Sequence, residues 1–267
     1  GLNCSADQIF LIAGLGTLPI VVYVVWLIPQ ATIRFVVWLM SRTIYRVRTY
    51  GTENIPEHGP ALFVANHVSW IDGVLILLTS SRNIRMIAYA DYVQGGFIGW
   101  LARLFEIIPI KSDDGPKALI QSLNTARDAL KNGELVCIFA EGKISRTGEL
   151  LKFERGMIKI LKGTDAPVLP VYLDELWGSI FSNEGGKFFW KKPKQWPYPV
   201  SINFGKLMPY EEVTDVDAVR TAVLQLKDES ANRRKDRHMI PALRFIRQCR
   251  SAWGRTKVSD SAGATLT

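Results

Sequence analysis

The sequence predicts an α/β domain, a largely parallel mixed sheet covered by helices, entered through N-terminal membrane helices. Three observations carry that prediction. Apolar runs of strand length recur from residue 61 onward, helix-like stretches separate several of them, and a long uncharged apolar segment lies near the N-terminus.

That segment, IFLIAGLGTLPIVVYVVWLI at residues 9–28, holds no charge. Wound as a helix it matches the roughly 30 Å hydrocarbon core of a bilayer. No basic stretch precedes it and no small-residue cleavage site follows, so it reads as an anchor rather than a signal peptide. Pro19 is expected to kink it and Pro29 to interrupt it. Residues 31–48 then set Phe35, Val36, Trp38, Leu39 and Met40 beside Arg34, Arg42, Arg46 and Arg48. Arginines flanking a span mark the cytoplasmic side. The alternative is a buried hairpin in a soluble core.

Composition agrees with a membrane surface. The 267 residues are 48% hydrophobic with eight tryptophans, yet the net charge is +8. A nucleic-acid binder would account for the charge but not for the apolar N-terminus. Three well-separated cysteines (Cys4, Cys137, Cys249) form no CxxC pair, which argues against a disulfide framework or zinc site and for a reducing compartment. Cys137, inside LVCIFA, reads as a core residue.

The strand candidates are ALFVA (61–65), RMIAYA (85–90), EIIPI (106–110), LVCIFA (135–140), PVLPVYL (167–173) and YPVSINFG (198–205). Between two of them, Leu119, Leu123, Ala126 and Leu130 recur at helical spacing and predict a helix over 116–131. Alternating strands and helices imply a covered, mainly parallel sheet. Residues 174–197 interleave Trp177, Phe181, Phe188, Phe189, Trp190 and Trp196 with Lys187, Lys191, Lys192 and Lys194 around Gly185-Gly186. That pattern suits either the lipid headgroup zone or a core-covering hairpin.

Chemistry concentrates at two strand ends. ALFVA runs into NHVSWID, which puts Asn66 and His67 at the sheet edge where α/β sites form, with Asp72 five residues beyond His67. Ser69 with Asp72 three later suggests a helix N-cap, with Asp72 in the first turn. Its carboxylate could then bond one imidazole nitrogen and leave the other as a general base. The other histidines have simpler readings: His58 lies in the turn PEHGP and His238 in a charge cluster. At the second strand end, LVCIFA leads into Glu141, Gly142, Lys143, Ser145, Arg146 and Thr147, a phosphate cradle or a surface turn. The sequence contains no P-loop, no G-x-G-x-x-G and no G-x-S-x-G. Direct transfer is therefore expected rather than a serine acyl-enzyme, and no metal is implied.

Taken together, NHVSWID, EIIPIK, FAEGKISR and PVLPVYL resemble the four motifs of the glycerolipid and lysophospholipid acyltransferase family, in family order across residues 61–173. The resemblance implies that His67 is the catalytic base and Asp72 its orienting partner. It places Asn66, Lys111, Glu141, Gly142, Lys143 and Arg146 on the substrate side, the last five around the acceptor phosphate. Two departures bear on the acceptor. Lys111 stands where arginine is usual and cannot make the same bidentate fork. In the third motif Ala140 replaces proline, and Lys143-Ile144 replaces threonine and arginine.

EGKISRTGEL is further similar to the acyltransferase module of bacterial 2-acylglycerophosphoethanolamine acyltransferases fused to an acyl-carrier-protein synthetase. The tail KVSDSAGATLT resembles the opening of such a synthetase, and the N-terminal helix resembles the last span of a lysophospholipid transporter. Residues 1–48 are thus expected to form transmembrane and interfacial helices, 49–232 the acyltransferase domain, and 233–267 a basic amphipathic segment and linker. In that segment Leu243, Ile246, Cys249 and Trp253 share one helical face beside Arg244, Arg247 and Arg250.

The resemblance implies transfer of a fatty acyl group from acyl-acyl-carrier-protein or acyl-CoA, with no further cofactor, to a lysophospholipid, lysophosphatidylethanolamine first. It implies a place on the cytoplasmic face of a bacterial inner membrane. Making phosphatidate from 1-acylglycerol-3-phosphate is the alternative, and a lipid-binding module without catalysis is a second one.

Overall fold

The computed structural model describes residues 5–111, 115–186, 188, 191–192, 195–238, 258–259 and 265–266. Of the basic segment expected at 233–267, residues 233–238 continue helix α8 (Val216–His238), which therefore crosses the boundary expected at residue 232; the apolar face from Leu243 to Trp253 lies outside the described residues, as do Lys187, Phe189, Trp190 and Lys194.

Helix α1 (Ala6–Leu27) opens on a Ser5–Gln8 capping box, contains Pro19 and buries no residue. It is the one described helix long and apolar enough to cross a membrane. Pro29 takes the first turn of α2 (Pro29–Ile44), where its missing N–H costs nothing. Phe35, Val36, Trp38, Leu39 and Met40 all point outward. Arg34 does not flank a span: its guanidinium turns inward and donates to the carbonyls of Leu77 (2.8 Å) and Ser80.

The chain then enters the sheet earlier than the sequence suggested. Strand β1 (Tyr45–Tyr50) pairs in parallel with β7 (Tyr198–Phe204), from Tyr45 opposite Tyr198 to Tyr50 opposite Asn203. The boundary expected at residue 48 thus cuts a strand, and Arg46 and Arg48 belong to an edge strand of the domain. Charge on an edge discourages further pairing, which is why YRVRTY lacks the apolar signature of its neighbours.

The remaining elements are β2 (Ala61–Ala65), α3 (Asp72–Leu77), β3 (Ile84–Tyr89), α4 (Ala90–Val93), α5 (Gly96–Leu104), β4 (Ile108–Ile110), α6 (Pro116–Lys131), β5 (Leu135–Phe139), α7 (Gly156–Leu161), β6 (Val168–Asp174) and α8 (Val216–His238). Every expected strand is present within a residue or two, and α6 spans the expected range. The sheet order is β1-β7-β6-β2-β5-β3-β4. Within this sheet only the β6–β7 pairing is antiparallel; the five strands from β6 to β4 run parallel.

Alternation along β2 explains the layers. Leu62 and Val64 face a core shared with Leu123, Ala126 and Leu130 of α6, Met157 and Ile160 of α7, and Val219 and Val223 of α8. Ala61, Phe63 and Ala65 face a second core with Leu75 and Ile76 of α3 and with Tyr45. A strand covered on both faces has no solvent side, so ALFVA reads as one continuous apolar run. Cys137 is fully buried there.

Candidate active site

Because β2, β5, β3, β4 and β6 run parallel, the residues that follow them emerge at one edge of the sheet. His67 leaves after β2 and Glu141 after β5, its immediate neighbour, with Ala65 beside Phe139 in the register. Lys111 leaves after β4 at the far end, three strands from β2, so roughly 14 Å away by interstrand spacing.

The pair His67 and Asp72 is assembled. Imidazole Nδ1 lies 2.9 Å from Asp72 Oδ2, with the histidine side chain 18% exposed and the aspartate fully buried. The same Oδ2 also accepts the backbone N–H groups of Val68 (2.7 Å) and Ser69 (2.9 Å). An anion so held requires the proton on Nδ1, which leaves the Nε2 lone pair as the base. Phe139 stacks on the imidazole at 4.0 Å between centroids and 14° between planes, fixing the ring from its face. Ser69 is not the expected N-cap. Ile71 holds that position without a side-chain bond, and Asp72, the first helical residue, folds its carboxylate back over the loop.

Glu141 and Asn66 hold the main chain around the base. Glu141 is buried, and its carboxylate accepts the N–H of His67 (2.9 Å, Oε1) and of Leu151 (3.0 Å, Oε2). Ser145 N–H in turn donates to the His67 carbonyl at 2.7 Å. The main chain of the base is thereby clamped on both sides by the loop that follows β5. Asn66 is also buried; its amide donates to the Leu173 carbonyl (3.0 Å) and accepts the Leu173 N–H (2.7 Å). It extends the β2–β6 ladder by one pair and has little left for a ligand. The Ser145 hydroxyl is likewise spent, donating to the Glu149 carbonyl at 2.8 Å.

Gly142, Lys143 and Arg146 are exposed on this loop. Gly142 adopts φ +66°, and Gly148, at φ +78°, lies against the Trp177 indole, where a Cβ would come within 2.6 Å of the ring. Lys143 and Arg146 form no ion pair with any described residue, so their charges remain available to an anion. Trp177, and Phe181 whose carbonyl accepts the Trp70 N–H, show that residues 174–186 cover the site loops rather than form a hairpin. Phe139, Trp177 and the structural use of Glu141 were not anticipated; ALFVAN and LVCIFAE signal a strand end, not what the last side chain bonds.

Burial pushes the Glu141 carboxyl above its ordinary value of 4.5, against the opposing pull of the two N–H donors. A carboxyl raised in the folded state contributes stability that is greatest at low pH and is lost as pH rises through the raised value. Glu141→Gln lacks that dependence. Its stability relative to wild type should therefore rise with pH across this window, read from urea midpoints at a series of pH values; a constant difference would contradict the assignment.

The comparisons with known proteins fall on the same residues. A family model described as Acyltransferase matches residues 46–174, from β1 to the end of β6. The chain is 30% identical over 130 residues to the 1-acyl-sn-glycerol-3-phosphate acyltransferase LPAT1, chloroplastic, of Arabidopsis thaliana, covering 48% of this chain and 36% of that protein. It is 25% identical over 186 residues to a probable 1-acyl-sn-glycerol-3-phosphate acyltransferase of Mycoplasma genitalium, covering 68% of each. The chain spans well under two thirds of the length of several such relatives, 36% of the Arabidopsis thaliana protein and 37% of one from Brassica napus. The crystal structure of the 1-acyl-sn-glycerophosphate acyltransferase PlsC from Thermotoga maritima superposes with a TM-score of 0.55 at 22% identity, covering 69% of this chain and 72% of that one, and bears out the α/β fold. The paired His67 and Asp72 thus lie, at the parallel edge of the sheet, within the stretch of this chain that is similar to acyltransferases.

Proposed function

We propose that this chain is an O-acyltransferase that moves a fatty acyl group from a thioester, acyl-acyl-carrier-protein or acyl-CoA, to the free glycerol hydroxyl of a lysophospholipid. The observation that carries it is the 2.9 Å contact between His67 Nδ1 and the buried Asp72 carboxylate. His67 Nε2 removes the hydroxyl proton as the oxygen attacks the thioester carbonyl. The tetrahedral oxyanion collapses, the C–S bond breaks, and the departing thiolate recovers the proton from the imidazolium. Asp72 holds the ring and offsets its transient charge; Glu141 and Ser145 hold its backbone.

Lysophosphatidylethanolamine is the acceptor we favour, from the similarity of EGKISRTGEL to the modules that act on it. The names of the relatives favour 1-acylglycerol-3-phosphate instead. Offering the purified protein both, with lysophosphatidylglycerol and labelled donors of each kind, decides between them. Transfer to none of the three would refute the reading. We place the site on the cytoplasmic face of a bacterial inner membrane, with α1 as the anchor, and read the chain as the middle of a fusion with transporter and synthetase domains.

Lys143 and Arg146 should act on acceptor binding. Neutralising either, as Lys143→Gln or Arg146→Gln, is expected to raise acceptor KM by about tenfold with kcat little changed, because a phosphate clamp supplies mostly ground-state binding. A rise in donor KM alone would move the phosphate site elsewhere.

A further inference from the structure

Among the described residues that follow α2, six large apolar side chains are exposed: Tyr92, Phe97, Ile98, Trp100, Ile120 and Trp196. Four of the six fall within residues 92–100, so they form one patch rather than scattered surface. Phe97 is 68% and Ile98 56% exposed, and Phe97 stacks on Trp100 at 5.5 Å. A cluster of this kind on a protein surface marks an interaction site.

Its place in the fold is specific. The parallel strand β3 ends at Tyr89, at the same sheet edge as His67, and α4 and α5 occupy the crossover from there to β4. The patch connects to the catalytic loop through aromatic rings. Trp70, three residues past His67, meets the Tyr92 ring edge-on at 4.5 Å, and Tyr92 lies 5.6 Å from Tyr89. Gly95 and Gly96, at φ +80° and +48°, turn the chain between α4 and α5. Only Gly99 and Ala102 of α5 are buried, and both are small, which lets the helix rest on the domain while Phe97, Ile98 and Trp100 face away.

We propose that α5 lies flat in the lipid headgroup boundary, with Phe97, Ile98 and Trp100 inserted, and so brings the mouth of the His67 site against the membrane that holds the acceptor. This rests on the acyltransferase reading above. The chemistry of the patch selects lipid. The only charged residue in α5 is Arg103, exposed and cationic, which suits anionic headgroups and offers an acidic carrier protein no basic surface beyond one side chain. Tryptophan and phenylalanine beside a cation are typical of interfacial helices, and nine residues are too few to span a bilayer. The patch is also of the same kind as the exposed apolar faces of α1 and α2, which the anchoring reading assigns to lipid.

The test uses the full chain in vesicles of phosphatidylethanolamine and phosphatidylglycerol. With Cys4 and Cys249 replaced by serine and Cys137 buried, an environment-sensitive dye is attached at Ile98→Cys or, as a control at the exposed last residue of α6, at Lys131→Cys. The dye at 98 should be quenched by doxyl-labelled lipids and protected from aqueous iodide, and the dye at 131 the reverse. Iodide access at 98 equal to that at 131 overturns the proposal. So does protection that depends on protein density in the vesicle, which would indicate a second copy, or that needs added acyl carrier protein.

The second arm is kinetic. The triple variant Phe97→Ser, Ile98→Ser, Trp100→Ser should raise KM for vesicle-embedded lysophospholipid by about tenfold and leave kcat/KM unchanged on a short-chain acceptor below its micelle concentration. Equal losses on both acceptors would mean a folding role and sink the idea. If the wild-type chain acylates neither acceptor, the acyltransferase reading fails, while the quenching result still decides where α5 lies.

Discussion

Replacing His67 with alanine is expected to lower kcat/KM for acyl transfer by about 10²–10⁴-fold, the usual contribution of a placed general base. The local geometry makes this a clean experiment. The main chain of His67, not its side chain, carries the structural load: its N–H donates to Glu141 and its carbonyl accepts from Ser145. Alanine keeps both bonds. Asp72 loses one of three donors but retains the N–H groups of Val68 and Ser69. Truncation opens space beside Phe139, which is half-buried and able to settle. The variant should therefore melt close to wild type and bind lipid as well, while turnover in purified protein falls by that factor. Near-normal turnover would show that Nε2 is not the base.

The parts of this architecture that were legible in the sequence are those in which one side chain reports its own environment. Strands covered on both faces must be apolar throughout, so β2, β5 and β6 are visible as ALFVA, LVCIF and VLPVYL. Helix α6, covered on one face, shows the 3.6-residue period. The pairing of His67 with Asp72 was legible because a loop of four residues confines both groups to the same strand end. What was hidden depends on partners distant in the chain. Strand β1 alternates arginines because it is an edge, and its only strand partner, β7, begins 153 residues after its first residue in the parallel register Tyr45–Tyr198. Asn66 and Glu141 look like ligands in sequence because they are polar and adjacent to the base. In the fold they are buried, and their polar atoms are consumed by Leu173, His67 and Leu151. A motif marks which residues the site requires; it does not separate those that touch substrate from those that hold the residues that do.

Asp72 allows charge and orientation to be separated. Its Oδ2 accepts three hydrogen bonds, whereas Oδ1 is buried without a partner. In Asp72→Asn the amide oxygen can therefore take the three-bonded position and the NH₂ the other. All three donors stay satisfied, the His67 ring keeps its orientation, and only the negative charge is lost. A unit charge about 4 Å from the imidazolium, at an effective dielectric of about 20, interacts by about 4 kcal/mol, so kcat should fall by up to about 10³-fold. The cost in stability is one buried NH₂, about 1–3 kcal/mol. Asp72→Ala removes the acceptor itself and strands the N–H groups of Val68 and Ser69 in a buried loop, besides releasing the ring. It should unfold at distinctly lower denaturant than Asp72→Asn and retain less activity. If both variants lose activity equally while Asp72→Asn keeps its stability, charge alone is what Asp72 supplies. If Asp72→Asn retains wild-type kcat, the carboxylate acts only as a hydrogen-bond acceptor, and the imidazolium must find its compensation elsewhere.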